Sequence, residues 1–337
     1  MTADRLAPAL WDIQLNGRWG TSFADPHITA DLAARIILAQ APLGTGRCCP
    51  TLISAPIDNL IHGVRMIAEA CEDAAVASMV LGIHLEGPWI SEVDGYRGAH
   101  PFEAIRDPNW ADFEAIRAAS GGRVVLVTLA PERPGAIAFV RRLVDSGVVV
   151  ALGHTAADGP TIRAAVDAGA TLSTHLGNGI ASPLIRHPNP IWEQAAEDRL
   201  HASIIADGHH LDASTMKVLA RAKGPDRLIL VSDASPLAGL PPGRHGGWEV
   251  QESGKVVVVG TPYLAGSTAT LFRGVANLSQ IVGLYTALAA ATANPARLLG
   301  HSPPVVDAAN HVRYRVSDLG IELLGTTVHG REYPAGR

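Results

Sequence analysis

The sequence predicts an α/β protein built on a (β/α)8 barrel with a reduced small β appendage. Short β-rich runs alternate with longer Ala-rich segments of helical character, and eight such runs can be counted. Four residues of metal-ligand or acid/base type, Glu86, His154, His175 and Asp233, each stand where a hydrophobic run gives way to a loop. Barrel enzymes place their catalytic residues at the carboxyl ends of their strands, so these four are expected on one face, as in a barrel of the metal-dependent hydrolase type.

The eight predicted strands follow from their apolar, β-branched composition, and the segments between them follow a helical period. The strands are expected at Trp11 to Leu15, Cys48 to Ile53, Met79 to Leu85, Arg123 to Leu129, Val148 to Leu152, Thr171 to Thr174, Ala202 to Ala206 and Leu228 to Ser232. Helical patterns lie at Thr29 to Gln40, Asn59 to Ala74, Gly135 to Ser146, Thr161 to Ala168 and Ala213 to Ala222.

The chain beyond the eighth strand predicts an insertion and an appendage. Arg244 to Gly260 has the pattern of a hairpin, with strands Trp248 to Val250 and Lys255 to Val259, and Ala287 to Leu299 is expected to close the barrel as a helix. We therefore divide the chain into a barrel over 1–300 and a small C-terminal β segment over 301–337. The chain starts almost at the first barrel strand, so no strand is expected before it.

Composition limits the class of protein. The net charge of -5 and the pI near 6.3 give no electrostatic reason to expect nucleic acid or an anionic membrane as a partner. The three cysteines, Cys48, Cys49 and Cys71, do not form a disulfide framework, which favours a reduced, cytoplasmic protein. The N-terminus lacks the pattern of a signal peptide, and no run is long and apolar enough to span a bilayer.

Glu86, His154 and His175 are the candidate metal ligands. Singly, each has an ordinary explanation: Glu86 as a buried ion-pair partner, and each histidine as a helix cap or a satisfied core residue. Together, one carboxylate and two imidazoles at the ends of three different strands supply three ligands and leave a position open for water, as catalytic zinc sites require. The occurrence of all three residues together favours their interpretation as metal ligands.

Asp233 is the candidate acid/base residue. It ends the run Leu228 to Ser232, where an aspartate can also serve as the N-cap of a following helix. Beside a metal at the top of a barrel, the same carboxylate can accept a proton from water and return it to a leaving nitrogen. We favour the catalytic role.

Eight motifs together resemble the N-acetylglucosamine-6-phosphate deacetylase family of the amidohydrolase superfamily. They occur in the order of that family and cover almost the whole barrel, and the two longest, around Asp207 and Asp233, are the most specific. The motifs are HLEGP (84–88), GAH (98–100), GHT (153–155), THLGN (174–178), IADGHHLD (205–212), AKGPDRLILVSDA (222–234), LAGS (264–267) and NPARLLG (294–300).

The resemblance implies roles for individual residues. Glu86, His154 and His175 would hold the catalytic divalent metal, most often zinc, and Asp233 would be the proton acceptor and donor. Arg186 falls where the family has a phosphate-binding arginine, a residue type whose fork suits phosphate, although an ordinary solvated loop arginine is nearly as probable on residue type alone. The other implied substrate-binding residues are Ala99, His100, Asn178, Gly179, Asp207, His210, Leu264, Ala265 and Gly266. The resemblance also implies a homodimer in which Arg186 serves a neighbour's site.

Some positions depart from the wider pattern. Many amidohydrolases carry His-X-His on the first strand for a second metal, whereas this chain has Gln14 and Asn16, whose amides are poor ligands. We therefore expect one metal, with these amides hydrogen bonding at the barrel mouth. Gly177 and Gly179 replace an aromatic and a small apolar residue of the family, which is expected to enlarge or loosen that wall of the pocket.

The expected reaction is metal-dependent amide hydrolysis. N-Acetylglucosamine 6-phosphate would be converted to glucosamine 6-phosphate and acetate, with Asp233 acting as general base and then acid on a metal-bound water. One alternative is a related amidohydrolase for another N-acyl amino sugar, such as N-acetylgalactosamine 6-phosphate, or another amide. A further alternative, an inactive barrel that serves as a scaffold, is disfavoured because all four chemical positions hold competent residue types.

Overall fold

A computed structural model describes residues 4–336, and its centre is a sheet of eight parallel strands that follow one another in chain order. The first and last strands meet through a bridge between Leu15 and Ala234, which closes the sheet into a barrel. The predicted (β/α)8 barrel is therefore confirmed. Its strands are Leu10–Leu15, Thr45–Ile53, Ile83–Glu86, Val124–Leu129, Val149–Leu152, Leu172–Ser173, His201–Ile205 and Leu228–Val231.

Apolar side chains fill the barrel interior, so the fold is a packed core with its chemistry at the rim. Every barrel strand except the third contributes to one buried cluster, which consists of Ile13, Cys49, Leu126, Ala151, Leu172, Ile205, Ile229 and Val231.

Helices surround the barrel. They are Ala30–Leu38, Ile57–Ala70, Ala74–Met79, Trp110–Ala119, Ala136–Asp145, Gly159–Asp167, Pro190–Ala196, Ala213–Lys223, Leu271–Val282, Leu284–Ala290 and Ala293–Leu298, with short 3-10 turns at Ala41–Leu43 and Phe102–Ala104. None of the helices in residues 4–336 combines the length and the apolar character that crossing a membrane requires.

The third barrel strand begins later than the sequence pattern predicted. Met79 ends a separate helix that starts after Asp73, whose side chain caps the backbone N–H of Ala75 at 2.7 Å. The predicted helix Asn59 to Ala74 corresponds to Ile57–Ala70, and the separate helix Ala74–Met79 takes up the start of the predicted strand, which therefore begins at Ile83. The predicted helix Ala287 to Leu299 is observed as two helices.

A four-stranded antiparallel sheet follows the eighth barrel strand, and we call it the lid sheet. It contains the predicted hairpin, in which Trp248–Val250 pairs with Lys255–Val258. Gly243–His245 and Leu264–Ser267 extend it on either side. Ser267 donates its backbone N–H to the carbonyl of Asp233 at 2.9 Å, so the lid sheet is joined to the end of the eighth barrel strand.

A second four-stranded sheet forms the appendage. Its C-terminal strands are His311–Ser317, Gly320–Val328 and Arg331–Pro334, so the predicted β segment after the barrel is observed as three strands. The expectation that no strand precedes the barrel was wrong, because Asp4–Pro8 pairs antiparallel with His311–Ser317. The segment DRLAP is charged and shows no alternation of apolar and polar residues, and its partner strand lies some 300 positions away in the chain. The domain boundary at residue 300 stays a proposal.

A two-stranded antiparallel ribbon, Gly17–Arg18 with Thr21–Ser22, follows the first barrel strand.

Candidate active site

Glu86, His154 and His175 bring three ligand atoms together at the top of the barrel. Nε2 of His154 lies 3.1 Å from Nε2 of His175, and these two nitrogens lie 3.3 and 2.9 Å from Oε1 of Glu86. All three residues are buried. Among residues 4–336, this is a cluster that could hold a metal ion.

The donor atoms fit a tetrahedral ion. Zinc bonds of about 2.0 Å in a tetrahedral site space the ligand atoms about 3.3 Å apart, close to the separations seen here. Nδ1 of His154 lies 3.0 Å from the carbonyl oxygen of Tyr96, to which it must donate a proton. That bond leaves the Nε2 lone pair pointing toward Glu86 and His175, as a metal ligand requires.

The electrostatics of the cluster also favour a cation. Burial alone would raise the pKa of Glu86, but its contacts with His154 and His175 outweigh burial and hold the pKa well below its usual value. The carboxylate is therefore ionised, buried and surrounded by nitrogen atoms. A negative charge in that setting needs a positive partner.

The backbone bends sharply where these side chains leave the strands. His154, His175 and Asp233 have φ values of 49°, 30° and 47°, in the left-handed region that residues with a side chain seldom adopt. Each of these residues lies two positions beyond the last residue of a barrel strand. The turn directs all three side chains into the same opening, at a cost in backbone strain of about 1–2 kcal/mol per residue.

Asp233 lines the same cavity as the ligand cluster and is buried. Burial, with a contribution from the charge of Glu86, raises the pKa of Asp233 to about 6. The carboxylate accepts hydrogen bonds from Gln14 and Asn16, at 3.2 and 2.6 Å, both on Oδ1. The expected hydrogen bonding of these two amides at the barrel mouth is thus confirmed.

His100 provides a neutral N–H donor next to the cluster. The backbone N–H of Ser54 donates to Nδ1 of His100 at 3.3 Å, and the Ser54 hydroxyl lies 2.9 Å from the same nitrogen. Because Nδ1 is an acceptor, the ring proton resides on Nε2. Burial and the neighbouring His154 lower the pKa of His100 to about 3, so the ring stays neutral.

Asp207 orients His210 and does not line the cavity. Its Oδ2 lies 2.8 Å from Nδ1 of His210, and its Oδ1 accepts the backbone N–H groups of His209 and His210. Burial would raise the pKa of Asp207, but these hydrogen bonds outweigh it and lower the pKa. In this structure the carboxylate of Asp207 supports His210, and its expected direct contact with substrate stays a prediction. Nε2 of His210 is the nitrogen left for a ligand.

The cluster opens into a cavity of about 370 Å³, large enough for a monosaccharide. Most residues implied by the family resemblance line it: Glu86, Ala99, His100, His154, His175, Asn178, Gly179, His210, Asp233, Leu264, Ala265 and Gly266. Several other lining residues were not predicted from the sequence, of which Trp248 and Tyr263 are the largest. Trp248 lies in the predicted hairpin, which was the available signal, whereas Tyr263 lies just beyond it.

Arg186 does not reach this cavity. Arg186 is exposed on the loop between Ile180 and Pro190, while Ser182 of the same loop lies at the cavity wall. Among residues 4–336, neither lysine nor arginine lines the cavity. A phosphate group bound here would therefore lack a cation from its own chain.

The two glycines of the THLGNG segment do not enlarge the pocket as expected. A Cβ at Gly179 would lie 2.6 Å from Nδ1 of His154, and a Cβ at Gly177 would lie 2.9 Å from Cδ2 of Leu211. His154 and Leu211 occupy the space that a side chain at Gly179 or Gly177 would need, so the cavity wall is closed at both positions.

A polar chain crosses the mouth of the cavity from the lid sheet. The Tyr263 hydroxyl donates to Asp94 at 2.8 Å, Asp94 pairs with Arg97 at 3.1 Å, and Arg97 donates to the carbonyl of His100 at 2.8 Å. The loop after the third barrel strand and the lid sheet are thereby held together over the ligand cluster.

Comparison with known proteins relates this chain to hydrolases. A model of the amidohydrolase family matches residues 5–305. The N-acetylglucosamine-6-phosphate deacetylase of Bos taurus is 38% identical over 312 residues, which cover 88% of this chain and 74% of the relative. The N-acetylgalactosamine-6-phosphate deacetylase of Escherichia coli O157:H7 is 34% identical over 302 residues, covering 88% of this chain and 79% of the relative.

Solved structures give the same result. The crystal structure of N-acetyl-D-glucosamine-6-phosphate deacetylase from Mycobacterium smegmatis superimposes with a TM-score of 0.87 at 32% identity, covering 98% of this chain and 88% of that one. The corresponding enzyme from Pasteurella multocida gives 0.84 at 26% identity, with coverage of 98% and 87%.

Proposed function

We propose that this chain, which belongs to the amidohydrolase family and within it to the N-acetylglucosamine-6-phosphate deacetylases, hydrolyses N-acetylglucosamine 6-phosphate to glucosamine 6-phosphate and acetate. One observation carries the proposal: a Glu-His-His ligand cluster and a buried aspartate line the same cavity of monosaccharide size. The names of the similar proteins supply the substrate.

Glu86, His154 and His175 would hold one divalent metal ion, and we propose Zn2+, which suits a set of two imidazoles and one carboxylate. Such an ion supplies Lewis-acid chemistry, since it polarises an amide carbonyl and lowers the pKa of water. The chain's own residues contribute the proton transfers, the orientation of the substrate and the exclusion of solvent.

Asp233 would move the proton. It accepts a proton from water as the water oxygen forms its bond to the acetyl carbon, and it returns that proton to the amide nitrogen as the C–N bond breaks. The products are acetate and the free amine. A raised pKa of about 6 suits both steps, because the group gains and loses a proton near neutral pH.

His100 would stabilise the charge that develops on the acetyl oxygen. Its Nε2 carries the ring proton and the residue lines the cavity, so it can donate to that oxygen without itself becoming charged. His210, held by Asp207, would bind a sugar hydroxyl or the phosphate.

A homodimer would complete the phosphate site. Arg186 is exposed on a loop that also reaches the cavity wall, and the described residues provide no cation at the cavity itself. We propose that Arg186 of the partner subunit binds the phosphate. We also propose a cytoplasmic location, where the thiols of Cys48, Cys49 and Cys71, all buried and unpaired, stay reduced.

Acetate release tests the function. Zinc-loaded protein is assayed with N-acetylglucosamine 6-phosphate, with N-acetylgalactosamine 6-phosphate and with N-acetylglucosamine lacking phosphate, and the Asp233→Asn variant prepared in parallel excludes a contaminating deacetylase. We expect the highest kcat/KM for N-acetylglucosamine 6-phosphate. A higher value for the galactosamine epimer would move the assignment to that sugar, and turnover of neither phosphate would refute it.

A further inference from the structure

Two amide side chains hold one oxygen of the Asp233 carboxylate. Nε2 of Gln14 and Nδ2 of Asn16 donate to Oδ1 at 3.2 and 2.6 Å, and all three residues are buried. Among residues 4–336, Oδ1 is the carboxylate oxygen that receives these side-chain hydrogen bonds, and Oδ2 receives none. The two oxygens of the proposed base therefore differ in their surroundings.

The orientation of Asn16 is fixed by this contact, since only the Nδ2 end of its amide can donate to a carboxylate. Turned this way, the carbonyl Oδ1 of Asn16 is buried and has no hydrogen-bond partner in the described part of the chain. Asn16 thus presents its donor end to Asp233, while its acceptor end receives no hydrogen bond from residues 4–336.

The backbone presets the distance between the amides and Asp233. The backbone N–H of Asn16 donates to the carbonyl of Ala234 at 3.0 Å, and the hydroxyl of Ser232 donates to the carbonyl of Gln14 at 3.3 Å. The two segments thus form one unit across the junction of the first and eighth barrel strands, with Asp233 between the two contacts. Motion of Asp233 relative to the amides is restricted.

We propose that Gln14 and Asn16 are positioning residues that hold Oδ1 of Asp233 and leave Oδ2 as the oxygen that accepts and returns the proton. The inference rests on the proposed function, in which Asp233 is the proton carrier. The proton passes from the attacking water to Oδ2 and from Oδ2 to the amide nitrogen, while Oδ1 keeps both N–H contacts throughout. The two amides themselves carry no proton in this scheme; they act on Oδ1 of Asp233.

A double-mutant cycle tests the inference. Asn16→Leu, which is nearly isosteric, and Gln14→Leu, whose side chain is shorter by one methylene, are measured alone and in the Asp233→Asn background, with metal content and thermal unfolding checked in every variant. In the native background we expect kcat to fall about 10- to 100-fold with KM within about twofold, because only the proton carrier is misplaced. In the Asp233→Asn background the same substitutions are expected to have no further effect, because their target is gone.

The pH profile provides a second readout. Loss of an N–H donor raises the pKa of a carboxylate, so the acidic limb of kcat/KM is expected to move upward in Asn16→Leu. Asn178→Ala is the matched control, since Asn178 lines the cavity but makes no hydrogen bond to Asp233. Its loss of activity should be the same in both backgrounds, and its acidic limb should not move.

Equal losses for Asn16→Leu in the two backgrounds, or an unmoved acidic limb, would overturn the inference. If Asn16→Leu does not fold, Gln14→Leu gives the same answer, because it acts on the same oxygen. Absence of wild-type deacetylase activity would instead refute the proposed function, so the two failures are distinguishable.

Discussion

The carboxylate of Asp12 accepts the backbone N–H of Ser232 at 3.2 Å, across the junction where the first and eighth strands close the barrel. The same oxygen accepts the backbone N–H of Gln14 at 3.3 Å. Regular strand pairing is reduced to a single bridge at this junction, between Leu15 and Ala234. A buried carboxylate therefore replaces part of the backbone ladder, immediately below the residues that hold Asp233.

This arrangement makes stability depend on pH. Burial, with a contribution from Asp233, raises the pKa of Asp12 from 3.8 to about 6. Since the folded pKa lies above the unfolded one, Asp12 favours folding most at about pH 4 and below, and this contribution is lost as the pH rises through 6. The shift corresponds to at most about 3 kcal/mol. We expect the free energy of unfolding of wild type, relative to Asp12→Asn, to fall between pH 4 and 6 in metal-free protein. Parallel curves for the two proteins would contradict this.

Metal stoichiometry distinguishes one ion from two. We expect one zinc per chain by elemental mass spectrometry, loss of activity after chelation and recovery on adding zinc, because within residues 4–336 the ligand atoms of Glu86, His154 and His175 form one cluster suited to a metal ion. His154→Ala is expected to lower metal affinity at least about tenfold. Two ions per chain would mean that Gln14 and Asn16 act as ligands.

Asp233→Asn separates catalysis from metal binding. We expect this variant to keep its metal and its fold while kcat falls by about three orders of magnitude or more, since the amide can neither accept nor return the proton. Asp207→Asn is the comparison, because Asp207 supports His210 and lies off the cavity. We expect Asp207→Asn mainly to raise KM. A substantially active Asp233→Asn enzyme would mean that the base is another group.

Subunit mixing tests the shared phosphate site. Arg186→Ala alone is expected to lower kcat/KM for the phosphorylated sugar and to leave activity on the sugar without phosphate nearly unchanged. Co-refolded Arg186→Ala and Asp233→Asn chains should regain about a quarter of wild-type activity, because half of the dimers are mixed and each has one complete site. No recovery in the mixture would place the arginine's action within its own subunit.

The barrel and the gathering of four candidate residues at one end of it could be predicted from the sequence, because both depend on local patterns. Glu86, His154, His175 and Asp233 each end an apolar run, and parallel strands bring their carboxyl ends together. Asp4–Pro8 was missed because its pairing partner is at the other end of the chain and its own pattern is weak.

The roles of Asp207 and Gly179 could not be predicted from residue type. The long motif around Asp207 suggested contact with substrate, yet its carboxylate is used by His210, a relationship set by the loop conformation. At Gly179 the missing side chain suggested an open wall, but the ring of His154 occupies the space. Both outcomes depend on which side chain lies next to the residue in the folded structure.

The left-handed backbone at His154, His175 and Asp233 has a consequence for engineering this protein. Glycine adopts that conformation without penalty, so replacing any of the three in metal-free protein would relieve strain while it destroys the site. A screen that selects variants only for heat resistance would therefore enrich inactive barrels. Selection for a more robust enzyme has to score turnover together with folding, because in this molecule the two are opposed at the residues that matter most for chemistry.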